Sequence, residues 1–321
     1  MNKIETLFLR CSHFNPTDSE IARLKESYPQ LSLTCVDEAD YTISQMEKAE
    51  IIVGFPRVED LPKAKNLKWL QAASAGVLQY VDTELYTNKD ILVTTASGTY
   101  GRQIGDHVIG MIIAFNHQFL TYHNQMKTQT WKRYFPTSDI WDSTILIIGF
   151  GDIGQNVARL AKGHQMKVVA VKRTPAEKPA SVDELLTINQ LDKALPTADY
   201  VVVCTASTPE TENLMDARRI GLMKQGSYII NVARGSLVDQ DAVIEALEQG
   251  RLAGAGFDAT EPEPLPPENK LWSLPNVLIT PHASGLSPSD PSKVFSIFAD
   301  NLQHYLGDKN MINAVDFSRK Y

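Results

Sequence analysis

The sequence predicts an α/β protein made of two doubly wound parallel sheets. Three observations carry that expectation. Short β-branched runs alternate with helical stretches along almost the whole chain. One glycine-rich turn, Gly149-Phe150-Gly151-Asp152-Ile153-Gly154, lies between the apolar run 145–148 and an amphipathic stretch that leads into a second β-branched run, 168–171. The length, 321 residues with 43% hydrophobic and 21% charged, suffices for two separate cores.

The elements follow in order. Residues 4–10 read as a first strand. Thr17-Asp18-Ser19-Glu20 is a capping box, in which hydroxyl and carboxylate each satisfy a backbone amide, and it opens a helix to about Tyr28. Further strands are expected at 31–36, 50–55, 67–72 and 91–95, the fourth running into Ser74-Ala75-Gly76-Val77. The stretch from Ile104 to about Tyr122 is apolar enough for one long helix between domains. Residues 123–141 mix polar groups with Trp131, Tyr134, Phe135 and Trp141, the composition of an interface, so an arm for dimerisation is expected around 120–141. Six strands are then expected, at 144–149, 167–171, 200–204, 227–231, 252–257 and 276–280. Helices separate them, one over 239–249 that Gly250 terminates. A last helix from Asp290 to about Leu306 is expected to cross back. The domains are thus 1–100 completed by 289–321, with 101–288 inserted between them.

Composition excludes several classes. A net charge of -7 argues against a nucleic-acid face. Cys11, Cys35 and Cys204 cannot all pair within one chain and lack metal-ligand spacing, which suits reduced thiols in a cytoplasm and no metal. The first residues read as a strand and not a signal peptide, and no apolar run approaches membrane length.

The glycine turn has the context of a dinucleotide fingerprint: strand, tight turn, helix, strand. Gly149 permits the turn, Gly151 leaves room for a pyrophosphate, and Gly154 lets helix and strand approach closely. The amides at Asp152 and Ile153 begin a helix whose positive end favours phosphate. An acid at the end of the second strand would accept an NAD ribose hydroxyl. Here the strand ends Val171-Lys172-Arg173-Thr174, and two cations with a hydroxyl suit the 2′-phosphate of NADP instead, with NAD as the lesser alternative.

Three further segments close expected strands: Asn231-Val232-Ala233-Arg234-Gly235, Asp258-Ala259-Thr260-Glu261-Pro262-Glu263-Pro264, and Pro281-His282-Ala283-Ser284-Gly285. Ligands of open α/β sheets bind beyond the carboxyl ends of strands, so these segments can converge. With the fingerprint and Thr208-Pro209-Glu210-Thr211, they make the chain resemble the D-isomer-specific 2-hydroxyacid dehydrogenases over nearly its whole length. The resemblance implies two Rossmann-like domains, with a split substrate domain and an inserted dinucleotide-binding domain. It also implies a homodimer and interconversion of 2-oxoacids and D-2-hydroxyacids.

By that resemblance the catalytic residues are Arg234, Glu263 and His282. The chemistry agrees. A guanidinium can hold a carboxylate and a carbonyl with parallel donors. Hydride arriving at a carbonyl carbon builds charge on oxygen, which histidine can protonate near neutrality. A carboxylate on the other ring nitrogen would fix the tautomer and favour the imidazolium. Glu261 is the competitor for that role, with a spacing that matches the family less well. The resemblance also assigns Ser74, Ala75 and Gly76 to the substrate carboxylate, together with Arg234 and His282. Thr205, Thr211, Val232, Ala233 and Asp258 are assigned to the cofactor, Asp258 facing the nicotinamide amide.

Some positions depart from the family pattern. Cys204 and Ala206 replace a frequent His and Pro, Asp142-Ser143-Thr144 a common Gly-Lys-Thr, and Ala283-Ser284-Gly285 a common Ile-Gly-Gly or Ile-Gly-Ser. Tyr100 stands in the first crossover, where it is expected to face the cleft. The resulting expectation is NADPH-dependent reduction of a small 2-oxoacid such as glyoxylate or hydroxypyruvate. The alternatives are a 3-phosphoglycerate dehydrogenase-like enzyme and a nucleotide-sensing binding protein without turnover.

Overall fold

The structure, a computed structural model, describes residues 3–134, 139–307 and 309–318. Phe135, expected in the arm, lies outside the described residues. The chain divides into two compact units, Met1–Tyr100 with Leu286–Tyr321, and Gly101–Gly285.

The first unit holds β1 (Ile4–Arg10), α1 (Asp18–Ser27), β2 (Leu31–Asp37), α2 (Ile43–Lys48), β3 (Ile51–Gly54), β4 (Trp69–Ala72) and β5 (Leu92–Thr94). The five strands pair in parallel in the order β2-β1-β3-β4-β5. Its strands β3 and β4 are buried at every position, without alternation, as in a sheet covered on both faces. The Thr17–Glu20 capping box forms as expected: Thr17 N donates to Glu20 Oε2 at 2.7 Å, and Glu20 N to Thr17 Oγ1 at 3.2 Å. The helix Asp290–Leu306 packs on this unit, with Phe298 stacked on Trp69 at 5.3 Å and edge-on to Phe8 at 5.2 Å. Buried Asn301 ties it to Gln71 of β4, 3.2 Å away.

The second unit opens with α3 (Gly101–Asn116) and α4 (Phe119–Lys127). The single helix expected from 104 to 122 is therefore two. The break falls at Gln118, whose φ of 59° is left-handed, where a helix cannot continue. The stretch expected as an arm begins within α4, and beyond Lys127 it carries Trp131, 95% exposed.

Next come β6 (Thr144–Ile148), α5 (Asp152–Gly163), β7 (Lys167–Lys172), β8 (Glu184–Thr187), α6 (Leu191–Ala194) and β9 (Tyr200–Val203). Then follow α7 (Ala217–Leu222), β10 (Ser227–Asn231), α8 (Gln240–Glu248), β11 (Leu252–Phe257) and β12 (Val277–Ile279). The parallel order is β12-β11-β10-β9-β6-β7-β8. The sheet has seven strands where six were expected. The extra one, β8, is a half-exposed edge of four residues, too short and too polar to carry a strand signature. Chain order reverses between β6 and β9, which makes the ends of these two strands the switch point where such sheets bind ligands.

Helices α3 and α5 cross closely because Gly101 and Gly105 face Asp152, Asn156 and Leu160. Further along α3, Met111 Sδ lies against Gly256 of β11, so α3 also covers the β11 end of the sheet. No described helix is long and apolar enough to cross a membrane.

Candidate active site

The glycine turn lies at the switch point. Gly149 follows β6 with a φ of 103°, a conformation that disfavours any side chain. Gly151 is the N-cap of α5 and offers no side chain to its amides. A Cβ on Gly154 would lie 2.1 Å from Gly149 O, so only glycine lets the helix start this close to the strand. A Cβ on Gly151, by contrast, would meet nothing within 4 Å. A 12-residue helix thus presents uncapped amides to open space, which fits a dinucleotide pyrophosphate. Cys204, in the position where the family often has His, seals the turn from below: its thiol donates to Gly149 O at 3.1 Å. Burial pushes that thiol up to about 12, so it is an inert packing group.

Lys172 ends β7 half-exposed, and Arg173 and Thr174 follow in solvent. Thr205 passes so near Gly149 that a Cβ there would lie 2.6 Å from Thr205 Cα. The Thr211 hydroxyl is turned into its own loop, donating to Ala206 O at 2.8 Å and accepting from Thr208 N at 2.8 Å.

Three loops at the ends of β10, β11 and β12 carry the expected catalytic residues. Arg234 is exposed, and its Nη1 donates to Ala233 O at 2.7 Å. Protein around the guanidinium lowers its pKa, while the charges of Glu263 and Asp258 oppose that effect. Val232 and Ala233 are buried beneath it. His282 Nδ1 lies 2.9 Å from Glu263 Oε2 and 3.2 Å from Oε1. A carboxylate only accepts, so Nδ1 carries a proton and donates it to Glu263. Glu263 Oε1 in turn accepts from Thr260 N at 3.2 Å. The competitor, Glu261, is not the partner of His282; its backbone N donates to Gln240 Oε1 at 3.2 Å.

The sequence reading missed the residues that hold these loops. Asn231, wholly buried at the end of β10, donates to Arg234 O at 2.8 Å and to Ala259 O at 3.3 Å, and accepts from Ala233 N at 3.1 Å. Gly235 lets the Arg234 loop press on the next one: a Cβ there would lie 2.1 Å from Thr260 C. A buried polar residue closing an apolar strand is the signal that could have found Asn231.

Asp258 was expected to face a nicotinamide. Within the protein its buried carboxylate organises the His282 loop. Oδ1 accepts from Thr280 Oγ1 at 2.6 Å, Ala283 N at 2.8 Å and Ser284 N at 3.0 Å, and Oδ2 accepts from the Ser284 hydroxyl. Burial raises its pKa, but these donors outweigh burial and hold the carboxyl below its usual range. His282 itself has a φ of 50°, left-handed for a residue with a side chain. Asp258 O steadies that backbone by accepting from His282 N at 2.8 Å.

In the first unit, Ser74 Oγ donates to Gly76 O at 2.6 Å, and Ala75 is exposed at the tip of the turn after β4. Tyr100, expected at the cleft, is held inside the first unit. It is buried, 7% exposed, with its hydroxyl donating to Ala73 O, and burial raises its pKa. Among the described residues, no group of three His, Cys, Asp or Glu could hold a metal ion.

Residues 109–284 match the model of the D-isomer specific 2-hydroxyacid dehydrogenase NAD binding domain. A glyoxylate reductase from Thermococcus gammatolerans is 34% identical over 231 residues, 69% of this chain and 68% of that one. A glycerate dehydrogenase from Methylorubrum extorquens is 29% identical over 269 residues, 80% of this chain and 82% of that one. A D-isomer specific 2-hydroxyacid dehydrogenase family protein from Aeromonas salmonicida superposes with a TM-score of 0.86 at 30% identity, over 98% of this chain and 100% of that one. A D-isomer specific 2-hydroxyacid dehydrogenase from Xanthobacter autotrophicus, solved with NADPH and MES, superposes with a TM-score of 0.84 at 25% identity, over 99% of this chain and 100% of that one. The chain belongs to the D-isomer-specific 2-hydroxyacid dehydrogenase family and is an oxidoreductase that uses a nicotinamide dinucleotide.

Proposed function

We propose that the protein uses NADPH to reduce a small 2-oxoacid of the glyoxylate or hydroxypyruvate kind to the D-2-hydroxyacid. The observation that carries this reading is the His282–Glu263 pair, in which Nδ1 is committed to the carboxylate and Nε2 is free to work. The bound nicotinamide supplies the hydride. Arg234 holds the substrate carboxylate and its carbonyl oxygen with parallel guanidinium donors. His282 Nε2 delivers a proton to that oxygen as charge builds there, and Glu263 stabilises the imidazolium that gives it. Asp258, its oxygens taken by Thr280, Ala283 and Ser284, keeps the His282 loop in place. The amides of Asp152, Ile153 and Gly154 and the hydroxyl of Thr205 hold the rest of the dinucleotide, beside the loop that the Thr211 hydroxyl closes.

Lys172, Arg173 and Thr174 support NADP, since the sequence closing β7 carries two cations and a hydroxyl in place of the acid of an NAD site. Glyoxylate reductase and glycerate dehydrogenase among the relatives support the substrate class. Exposed Trp131, Tyr134 and Trp141 support a homodimer built on that arm.

The test is NADPH oxidation across a panel of 2-oxoacids. NADPH should exceed NADH in kcat/KM, with a short-chain oxoacid as the best substrate. His282→Ala should lower kcat by roughly a thousandfold with NADPH binding intact. Turnover near the native rate in that variant refutes His282 as the proton donor.

A further inference from the structure

The His282 loop is anchored through a chain of hydrogen bonds that begins on a different element. His107, half-buried on α3, places Nε2 3.1 Å from Thr280 Oγ1. That hydroxyl lies 2.6 Å from Asp258 Oδ1. A threonine hydroxyl has one proton, and a carboxylate has none to give, so Thr280 donates to Asp258. Its remaining lone pairs must then accept, which makes His107 the donor through an Nε2–H. Direction therefore runs His107 to Thr280 to Asp258, and Asp258 binds the amides of Ala283 and Ser284 that flank His282 on its far side.

The placement is not incidental. Met111 lies one helical turn after His107 on the same face of α3 and rests against Gly256, next to the carboxyl end of β11. His107 is thereby held over the ends of β11 and β12, where Thr280 emerges.

We propose that His107 is a positioning residue: donating through Thr280, it holds Asp258 in the orientation that keeps the left-handed His282 backbone aimed for proton transfer. This rests on the reading of His282 as proton donor. Each hydrogen bond in the chain strengthens the next by polarising it. Without the His107 donor, the Thr280 hydroxyl keeps only its bond to Asp258 and loses the second contact that fixes its direction.

Four variants test the idea: His107→Leu and Thr280→Val, which break the chain, and His107→Gln and Thr280→Ser, which keep a donor and a hydroxyl at the same reach. His107→Leu and Thr280→Val should each lower kcat roughly tenfold, with KM for NADPH within about twofold of the native value. His107→Gln and Thr280→Ser should restore most of that loss. In the cofactor-free protein, long-range nitrogen–proton correlation spectra should find His107 protonated at Nε2. Native kcat in His107→Leu overturns the proposal. So does equal loss in the Leu and Gln variants, which would mean that only the shape of the imidazole matters. If His107→Leu does not fold, the Thr280 pair decides by the same criterion. Full activity in His107→Leu beside an inactive His282→Ala refutes only the positioning role; an active His282→Ala refutes the catalytic reading beneath it.

Discussion

Gly154→Ala is the perturbation whose cost can be worked out most directly. The new methyl would lie 2.1 Å from Gly149 O, and a real Cβ does not approach an atom closer than 3.0 Å, so the two must part by about 0.9 Å. Gly149 cannot retreat freely. Its amide is bound to Val171 O at 3.0 Å, its carbonyl accepts the Cys204 thiol at 3.1 Å, and its α-carbon packs against the backbone of Thr205. The strain must therefore tip the start of α5 away from β6. Overpacking of this kind costs about 1–3 kcal/mol, which for a unit of this size lowers Tm by roughly 2–4 °C per kcal/mol. The displaced amides also leave the phosphates, so a loss of about 2 kcal/mol in binding appears as a Kd about 30-fold weaker. Gly151→Ala is the matched control. Its methyl meets nothing in the protein, so Tm should stay within about 1 °C of native while NADPH binding weakens, because the methyl occupies the space left for the pyrophosphate. Thermal melts and NADPH fluorescence titrations of both variants separate the two effects. A native Tm in Gly154→Ala, or native affinity in Gly151→Ala, refutes the reasoning.

Asp258 gives an expectation with a definite sign in pH. Its folded pKa lies below the unfolded value of about 3.8, so the stability it contributes is complete above that pH and is lost as pH falls further. Asp258→Asn should cost about 1–3 kcal/mol at neutral pH, since an amide nitrogen would face the donors of Ser284. Denaturant titrations from pH 6 to about pH 3 should then give a shallower acid decline in the variant than in the native protein; parallel declines contradict the assignment. For the cofactor, the double change Lys172→Ala with Arg173→Ala should lower kcat/KM for NADPH roughly 10–100-fold and leave NADH within about threefold. Steady-state kinetics with both cofactors decides, and equal losses rule out a 2′-phosphate site.

The sequence made some features legible and hid others for physical reasons. The parallel sheets were readable because buried strands such as Ile145-Leu146-Ile147-Ile148 are apolar without interruption. The glycine turn was readable because its demands are local: one left-handed residue and one close approach. Helix breaks were not. Nothing in the apolar pattern from Ile104 to Tyr122 announces the left-handed Gln118, because a polar residue at one position does not interrupt a helical face. The edge strand β8 was invisible since it buries little. In the site, Arg234, Glu263 and His282 were reached through motif resemblance, and their mutual geometry could not be, because it depends on three loops meeting. The supporting residues, Asn231, Thr280 and Ser284, are ordinary polar side chains whose roles exist only in the folded protein.

The Asn231 amide has a consequence for how the site can move. One side chain, fully enclosed, is bonded to the carbonyls of both Arg234 and Ala259, and Gln240 braces the neighbouring backbone at Glu261. The guanidinium and the acid that serves the imidazole are thus mounted on a shared bracket. Displacement of either strand end is passed to its neighbour, so the separation between the Arg234 guanidinium and the Glu263–His282 pair varies less than two independent surface loops would allow.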